Sequence, residues 1–208
     1  MSDQADRVLE QLNVSRETSD RLKILADLLL KWNPRINLVS KSTLDTLWTR
    51  HILDSAQIYH MAEHPVGHWV DIGSGGGFPG LVVALMSSES HSPVRVTLIE
   101  SDQRKCAFLR TVLRETGVQG TILTKRIEQA DPQAADILSA RALADLSALF
   151  SFAERHLAPN GTALFQKGAS WQKEVQNAQE SWSFDFDVIT SRTEPSSVIL
   201  KVKDIRRV

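Results

Sequence analysis

The sequence predicts an α/β fold: a mostly parallel sheet with helices on both faces, preceded by a small N-terminal helical extension. A short apolar strand at 68–72 runs into a glycine-rich loop, and an apolar helix follows directly. After this unit, strand-like and helix-like segments alternate, as they do around a parallel sheet. Before it, apolar residues recur at three- and four-residue steps, which is typical of amphipathic helices. We therefore divide the chain into an extension, 1–66, and a sheet domain, 67–208.

The extension contains two predicted helices after a polar start that forms a frayed end or a short helix. Ser15 is a suitable N-cap for the first helix. The pair Asn33-Pro34 is expected to end that helix, because proline cannot donate the backbone hydrogen bond that continues it. A segment at 42–45 resembles a capping box and begins the second helix.

Arg50, His51, Asp54 and Ser55 are polar residues within this second helix. Their side chains lie within about one turn and run parallel, so they cannot form the convergent relay of a serine hydrolase. We interpret Arg50, His51 and Asp54 mainly as a hydrogen-bonded brace between the extension and the glycine loop. Contact with a substrate is the alternative interpretation.

The spacing of the glycine loop separates three classes of ligand. A nucleoside-triphosphate loop needs lysine and Ser/Thr after its last glycine, whereas leucine and valine follow Gly80. Gly75, Gly77 and Gly80 match the dinucleotide fingerprint, which is a weak signal by itself. Asp71, Gly73, Gly75 and Gly77 match an acid-x-Gly-x-Gly-x-Gly pattern, which resembles motif I of class I S-adenosylmethionine methyltransferases. In each case the ligand is expected at the N-terminus of the helix that begins at Pro79.

The rest of the sheet domain is predicted from alternating segments. Strand 94–100 ends in Glu100, and a carboxylate at the tip of the second strand can accept hydrogen bonds from ribose hydroxyls. A helix at 104–115, strands at 121–123 and 135–138, a helix at 146–157 and a strand at 162–166 follow. A turn at 159–161 is expected before that last strand. Segments 184–190 and 197–202 are predicted to pair antiparallel at the sheet edge.

Composition limits the possible functions. The chain has 208 residues, 42% hydrophobic residues, one cysteine and a net charge of −1. A single cysteine excludes an internal disulfide framework and a cysteine zinc site, and no apolar run reaches the ~20 residues that span a bilayer. The start of the chain lacks the layout of a signal peptide, so we expect a cytoplasmic protein with no membrane association and no metal. Lys and Arg nevertheless outnumber Asp and Glu six to two in both 21–51 and 101–126, which is compatible with a basic face for nucleic acid.

Five motifs occur in a characteristic order. They are Trp32-Asn33-x-x-Ile36-Asn37-Leu38, Arg50-His51-Ile52-Leu53-Asp54-Ser55, the run from Asp71 to Gly80, Ser139-Ala140-Arg141-Ala142, and Lys167-Gly168. Together they resemble the RsmG/GidB family of bacterial methyltransferases that act on small-subunit ribosomal RNA. The resemblance covers roughly residues 15 to 205.

The resemblance implies a class I methyltransferase, Rossmann-like, that uses S-adenosyl-L-methionine as its cofactor. The acceptor would be N7 of guanosine 527 in the 530 loop of 16S rRNA, either free or within the 30S subunit. Together with the interpretation of Gly75 and Glu100, it gives a cofactor site of seven residues: Gly73, Gly75, Phe78, Glu100, Ile127, Glu128 and Arg141. Guanine N7 has a free lone pair, so no catalytic base is expected.

RNA contacts are expected from the basic residues near this site: Arg50, His51, Arg104, Lys105 and Lys167. Two alternatives from other classes stay open at this point. One is a nicotinamide-dependent oxidoreductase, built on the dinucleotide match. The other is an RNA-binding module without catalytic activity.

Overall fold

The computed structural model describes residues 3–208, which form a sheet of seven strands with helices on both faces. The strands are β1 His68–Ile72, β2 Arg95–Ile99, β3 Thr121–Leu123, β4 Ala135–Arg141, β5 Leu157–Lys167, β6 Trp182–Thr190 and β7 Val198–Arg207. They lie in the order β3-β2-β1-β4-β5-β7-β6. The first five in this order are parallel, whereas β7 is antiparallel to both β5 and β6. The predicted α/β fold with a mostly parallel sheet is confirmed.

Helices cover both faces of this sheet. The helices are α1 Asp3–Leu12, α2 Arg16–Ile36, α3 Asp54–Tyr59, α4 Gly80–Ser90, α5 Gln103–Thr116, α6 Leu146–His156 and α7 Trp171–Gln179. The core of one face joins α4 and α5 to the extension, while the core of the other face contains α6 and α7. Helix α4 has no polar side over 80–87, all of which is buried, because it packs between the sheet and the extension. Among residues 3–208, none of the helices combines the length and the apolar character that crossing a membrane requires.

The extension departs from the sequence prediction in two places. Helix α2 does not end at Asn33-Pro34 but continues to Ile36, and Asn37 closes it in the left-handed conformation. Pro34 lies in the last turn, where one missing amide costs little, and the side chain of Asn33 accepts a hydrogen bond from the Val39 amide at 2.9 Å. The second predicted helix is a 3-10 turn at Lys41–Thr46, a π turn at Trp48–Leu53 and then α3.

Two differences concern the second half of the chain. The turn expected at 159–161 lies within β5, where the pairing with β4 jumps from Leu157 to Thr162 and the intervening residues bulge out. Helix α7 was not predicted, although Trp171, Val175 and Ala178 have helical spacing. Residues 1 and 2, at the head of the polar start, lie outside the described residues. The predicted division after residue 66 falls between α3 and β1, and the two segments share one hydrophobic cluster.

Candidate active site

A cavity of about 510 Å³ opens at the carboxyl ends of β1, β4 and β5. The strand order reverses between β1 and β4, which is where open α/β sheets bind their ligands. The glycine loop forms one wall and the extension forms another, through Leu38 to Ser40, Thr43 and the π turn. The remaining lining comes from Lys105 on α5, from Arg141 and Ala142, from 166–168 at the end of β5, and from the β6–β7 connection with the first residues of β7.

Gly75 is the position in the glycine loop at which a side chain would enter free space. Its φ is +54°, and a Cβ atom built there would meet only the Gly73 carbonyl oxygen, at 3.7 Å. The backbone is therefore left-handed, and the space beside it is open to a ligand. Gly73 also has a positive φ, but a Cβ there would lie 2.5 Å from the Leu143 side chain.

Asp71 lies inside β1 and is fully buried. Its Oδ1 accepts a hydrogen bond from Ser139 Oγ at 2.7 Å, and Ser139 in turn accepts one from the Trp69 indole at 2.9 Å. Burial raises the pKa of Asp71 to about 6, although Ser139, Ser74 and the Gly80 amide lower it in part. Asp71 therefore ties β1 to β4 beneath the cavity, while its Oδ2 has no hydrogen-bond partner among residues 3–208.

Glu100 follows β2 and holds two backbone segments together. Its carboxylate accepts hydrogen bonds from the Gly75 amide at 2.8 Å and from the Asp102 amide at 2.7 Å. The side chain is half-buried, and each carboxylate oxygen keeps a lone pair for a further donor. Glu100, the acidic residue expected at the end of the second strand, thus lies beside the glycine loop. It contacts Gly75, where the space is open to a ligand.

Arg141 at the end of β4 reaches back to the extension. Its Nη2 donates a hydrogen bond to His51 Nδ1 at 2.8 Å, and its Nη1 donates to the Arg50 carbonyl at 3.2 Å and to Asp54 Oδ2 at 3.4 Å. The guanidinium also lies over the Phe78 ring, with Cζ 5.1 Å from the ring centroid. Burial lowers the pKa of Arg141, and the nearby Asp54 charge offsets part of that effect.

His51 is 7% exposed and lies between Arg141 and the extension. Its Nε2 is 2.8 Å from Thr43 Oγ1, and its ring lies 5.1 Å from that of Phe78. Burial and the charges of Arg141 and Arg50 lower the pKa of His51 to about 3, so the ring is neutral at pH 7. The sequence predicted a hydrogen-bonded brace between the extension and the glycine loop. The hydrogen bonds of Arg50, His51 and Asp54 run instead to Arg141 at the end of β4, and the ring contact of His51 with Phe78 is the link to the loop side.

Asp54 connects four parts of the cavity wall. Its Oδ1 accepts hydrogen bonds from Gln57, Ser191 and Thr193, at 2.7, 3.2 and 2.7 Å. Its Oδ2 accepts from Gln166 Nε2 at 2.6 Å, besides Arg141. Sequence reasoning missed Gln166, Ser191 and Thr43. The place of Gln166 directly before Lys167-Gly168 at a strand end was a usable signal, whereas Ser191 reaches the site because β6 runs in the same direction as β5 and ends at the same edge of the sheet.

The basic residues expected to contact RNA differ in their surroundings. Lys105 and Arg50 line the cavity, and Arg50 is also 3.7 Å from Glu194. Arg104 lies outside the lining and pairs with Asp102 at 3.0 Å. Lys167 lines the cavity but is buried, with its Nζ 2.9 Å from the Ala144 carbonyl and 2.5 Å from Glu174.

Ile127 and Glu128, which the sequence predicted as cofactor contacts, do not line the cavity. Ile127 is buried, and its carbonyl accepts a hydrogen bond from His156 Nε2 at 3.0 Å, while Glu128 is exposed. Both lie in the 3-10 turn after β3, Ile127–Gln129. No group of three or more His, Cys, Asp or Glu side chains in the described part of the chain is arranged to hold a metal ion.

The sequence matches one family model over residues 18–197, that of GidB, described as rRNA small subunit methyltransferase G. A ribosomal RNA small subunit methyltransferase G of Ruegeria sp. (strain TM1040) is 58% identical over 198 residues, which are 95% of this chain and 96% of the relative. The protein of the same name from Cereibacter sphaeroides (strain ATCC 17029 / ATH 2.4.9) is 48% identical over 204 residues, 98% of each chain.

Solved structures share the fold at low sequence identity. A methyltransferase from Geobacter sulfurreducens gives a TM-score of 0.59 at 16% identity and covers 87% of this chain and 88% of its own. The M. jannaschii protein TYW2 in complex with AdoMet gives 0.58 at 12% identity, over 84% of this chain and 80% of its own. The predicted class I methyltransferase fold, with helices preceding it, is confirmed.

Proposed function

Because the chain belongs to the GidB family and is an S-adenosylmethionine-dependent rRNA methyltransferase, we propose that its methyl acceptor is guanine N7 at position 527 of 16S rRNA. The family match over most of the chain is the observation that carries this proposal. The cavity at the switch between β1 and β4 supports it, because a nucleoside-containing cofactor fits beside the glycine loop. The family match leaves the oxidoreductase and the non-catalytic RNA-binding module without support.

We propose that the cofactor lies between the glycine loop and Arg141. S-adenosylmethionine, when bound, supplies an electrophilic methyl group on a positively charged sulfur. The open space at Gly75 and the carboxylate of Glu100 beside it fit a nucleoside whose ribose hydroxyls donate hydrogen bonds. Gly73 and Phe78 complete that wall of the cavity. The family resemblance, and not the cavity, suggests the contacts of Ile127 and Glu128.

Arg141 retains donors that suit an anionic group. Both Nη1 hydrogens and one Nη2 hydrogen have partners, whereas Nε–H and the second Nη2–H have none among residues 3–208. These two donors fit the carboxylate of the cofactor. A bidentate contact with guanine O6 and N7 would instead occupy the lone pair that must attack the methyl group.

The cavity suits an acceptor that needs no deprotonation. His51 cannot serve as a base there, because Nδ1 accepts from Arg141 and Nε2–H faces Thr43. Asp54 accepts hydrogen bonds from five side chains, and Lys167 is paired with Glu174. Guanine N7 carries its own lone pair, so holding it in line with the methyl group is sufficient.

We propose that RNA approaches over the extension and helix α5. Arg50 and Lys105 are placed to meet the nucleotide at the cavity, and Arg104 is placed to meet the backbone outside it. Lys167 reaches the nucleotide only if its ion pair with Glu174 opens. His51 contributes to RNA binding mainly through its hydrogen bond with Arg141. The extension, 1–66, would thus provide substrate contacts and the sheet domain, 67–208, the cofactor site. We propose that the protein acts in the cytoplasm on 16S rRNA, free or within the 30S subunit.

Mass mapping of 16S rRNA from cells with and without the gene tests the proposed acceptor. We expect 7-methylguanosine at position 527 only when the gene is present. Methylation by the purified protein of another atom or another nucleotide would contradict the proposal while leaving the family assignment in place. Parallel reactions on naked 16S rRNA and on 30S subunits identify the form that is the substrate.

A further inference from the structure

The hydrogen bonds around His51 have directions that can be assigned from their partners. An arginine can only donate, so the Arg141 contact requires Nδ1 of His51 to be an unprotonated acceptor. The neutral ring then carries its hydrogen on Nε2, which donates to Thr43 Oγ1. The Thr43 hydroxyl donates in turn to the Ser40 carbonyl at 2.8 Å. The four groups form one chain of hydrogen bonds that runs from Arg141 to the extension.

The same residues are also held by packing. The rings of His51 and Phe78 are tilted by 32° with centroids 5.1 Å apart, and the Arg141 guanidinium lies over Phe78 at the same distance. Ser40, Thr43, His51, Phe78 and Arg141 all line the cavity. The chain of hydrogen bonds therefore sets the position of a cavity residue from outside the sheet domain.

We propose that His51, as the Nε2–H tautomer fixed by Thr43, is a positioning residue that orients Arg141 so that its two free donors face the cofactor. This inference rests on the proposed cofactor contact of Arg141 and deepens it. A protonated His51, or the opposite tautomer, would present a hydrogen to Arg141 and push the guanidinium away. The extension thereby contributes to cofactor binding without touching the cofactor.

Two substitutions at His51 distinguish the effect of losing the Nδ1 acceptor from the effect of losing the ring that packs on Phe78. In His51→Asn the amide oxygen can take the place of Nδ1, so an acceptor for Arg141 is kept. In His51→Phe the ring against Phe78 is kept, but the acceptor is lost. We expect His51→Phe to raise the Kd for S-adenosylmethionine by about tenfold or more, because the charge-assisted hydrogen bond from Arg141 is lost. We expect His51→Asn to stay within about threefold of wild type.

A coupling measurement distinguishes positioning from a general loss of structure. If His51 acts through Arg141, the double variant His51→Phe with Arg141→Lys binds the cofactor no more weakly than Arg141→Lys alone. The KM for RNA, measured at saturating cofactor, should stay unchanged in His51→Phe. Additive effects in the double variant, or equal losses for both His51 substitutions, would overturn the proposal.

The tautomer gives a test that needs no substitution. Imidazole ¹⁵N shifts of the wild-type protein should show Nδ1 unprotonated and Nε2 protonated for His51 from about pH 5.5 to 8. Thr43→Val should weaken this preference and cofactor binding together, and Thr43→Ser should restore both. An Nδ1–H tautomer, or a ring that titrates near its usual pKa of 6.5, would refute the assignment.

The proposal and the proposed function can fail separately. Wild-type protein that methylates guanine 527 while His51→Phe binds the cofactor normally would refute the role of His51 alone. Wild-type protein that modifies a different atom, with cofactor binding still dependent on His51, would refute the acceptor alone.

Discussion

Gly75 is the residue at which a side chain should affect the ligand more than the fold. We expect Gly75→Val to abolish measurable binding of S-adenosylmethionine in calorimetry, because the branched side chain fills the open space beside the loop. The left-handed backbone adds a strain of about 1–2 kcal/mol. Gly117→Val is the matched control, since Gly117 has a φ of +67° and open surroundings but lies away from the cavity. If both variants bind the cofactor equally, the loop is not its site. Gly73 is less suitable because a Cβ there collides with Leu143.

Glu100 is the second residue whose role can be tested singly. Glu100→Gln replaces one acceptor oxygen with an NH₂ group, which cannot accept from either the Gly75 or the Asp102 amide. We expect cofactor affinity to fall by about 1–2 kcal/mol, since the charge that strengthens hydrogen bonds to the ribose is lost as well. Glu10→Gln on the exposed side of α1 is the control. Equal affinities in the two variants would exclude Glu100 as the ribose acceptor.

Two buried groups make opposite contributions to stability as the pH changes. The unfolded chain protonates His51 at about pH 6.5, but the folded protein does so only at about 3, so stability is lost as the pH falls through this window. Asp71 has a folded pKa of about 6 against a usual 3.8, so its contribution increases as the pH falls from 6 to 4. Between pH 7.5 and 4, we expect His51→Asn to flatten the acid loss of unfolding free energy by about 3 kcal/mol and Asp71→Asn to steepen it.

Urea denaturation between pH 4 and 7.5 measures both effects. The two variants should diverge in opposite directions from wild type as the pH is lowered. Parallel pH profiles for all three proteins would show that neither group has a shifted pKa.

Helix α7 is held against the sheet by the ion pair of Lys167 and Glu174, in addition to the burial of Val175 and Ala178. The side chains of Lys167 and Glu174 are 7% and 20% exposed. Glu174→Ala should therefore lower the unfolding free energy by about 3 kcal/mol, because it leaves a buried ammonium without its counter-charge. Glu180→Ala, just after the same helix, is the control. The double variant Lys167→Met with Glu174→Leu should recover most of the loss, and a loss as large as that of Glu174→Ala would contradict this account.

The charge distribution of the whole molecule predicts how RNA binding depends on salt. Lys31, Arg35 and Lys41 are exposed on the extension and have no ion-pair partner among residues 3–208, whereas Arg104 and Arg114 pair with acids. If the extension contacts phosphates, Lys31→Gln or Lys41→Gln should reduce the slope of log affinity against log salt by about one. Cofactor affinity should not change.

The tail of β7 provides an exposed control for this measurement, Arg206, which lies 3.6 Å from Asp204. β7 runs antiparallel to β5, so Arg206 lies at the edge of the sheet opposite the cavity. Arg206→Gln should leave the slope unchanged. A slope that falls equally in all three variants would indicate non-specific attraction rather than a binding face.

Local chemistry was enough to predict the parallel part of the sheet and the closeness of the glycine loop to Glu100. Asp71 in its strand, the glycines after it and Glu100 at the next strand end follow one another within 30 residues. Parallel strands bring their carboxyl ends to one edge, so this order along the chain already implies proximity. The order of the motifs along the chain likewise indicated the family.

The partners of Arg141 depended on the tertiary structure. His51 and Asp54 lie 90 and 87 residues away in sequence, and Ser191 joins the same network because β6 ends at the same edge of the sheet as β5. No local pattern encodes such contacts, since they depend on how the extension packs across the sheet edge.

Pro34 inside α2 has a similar explanation: proline propensity disfavours the last helical turn, but Asn33 and the buried face of the helix outweigh it. The sequence by itself determined which candidate cofactor residues, such as the glycines after Asp71 and Glu100, meet at one edge of the sheet. The packing of the extension decided which of them act together, because hydrogen bonds between distant segments form only after those segments are buried against each other.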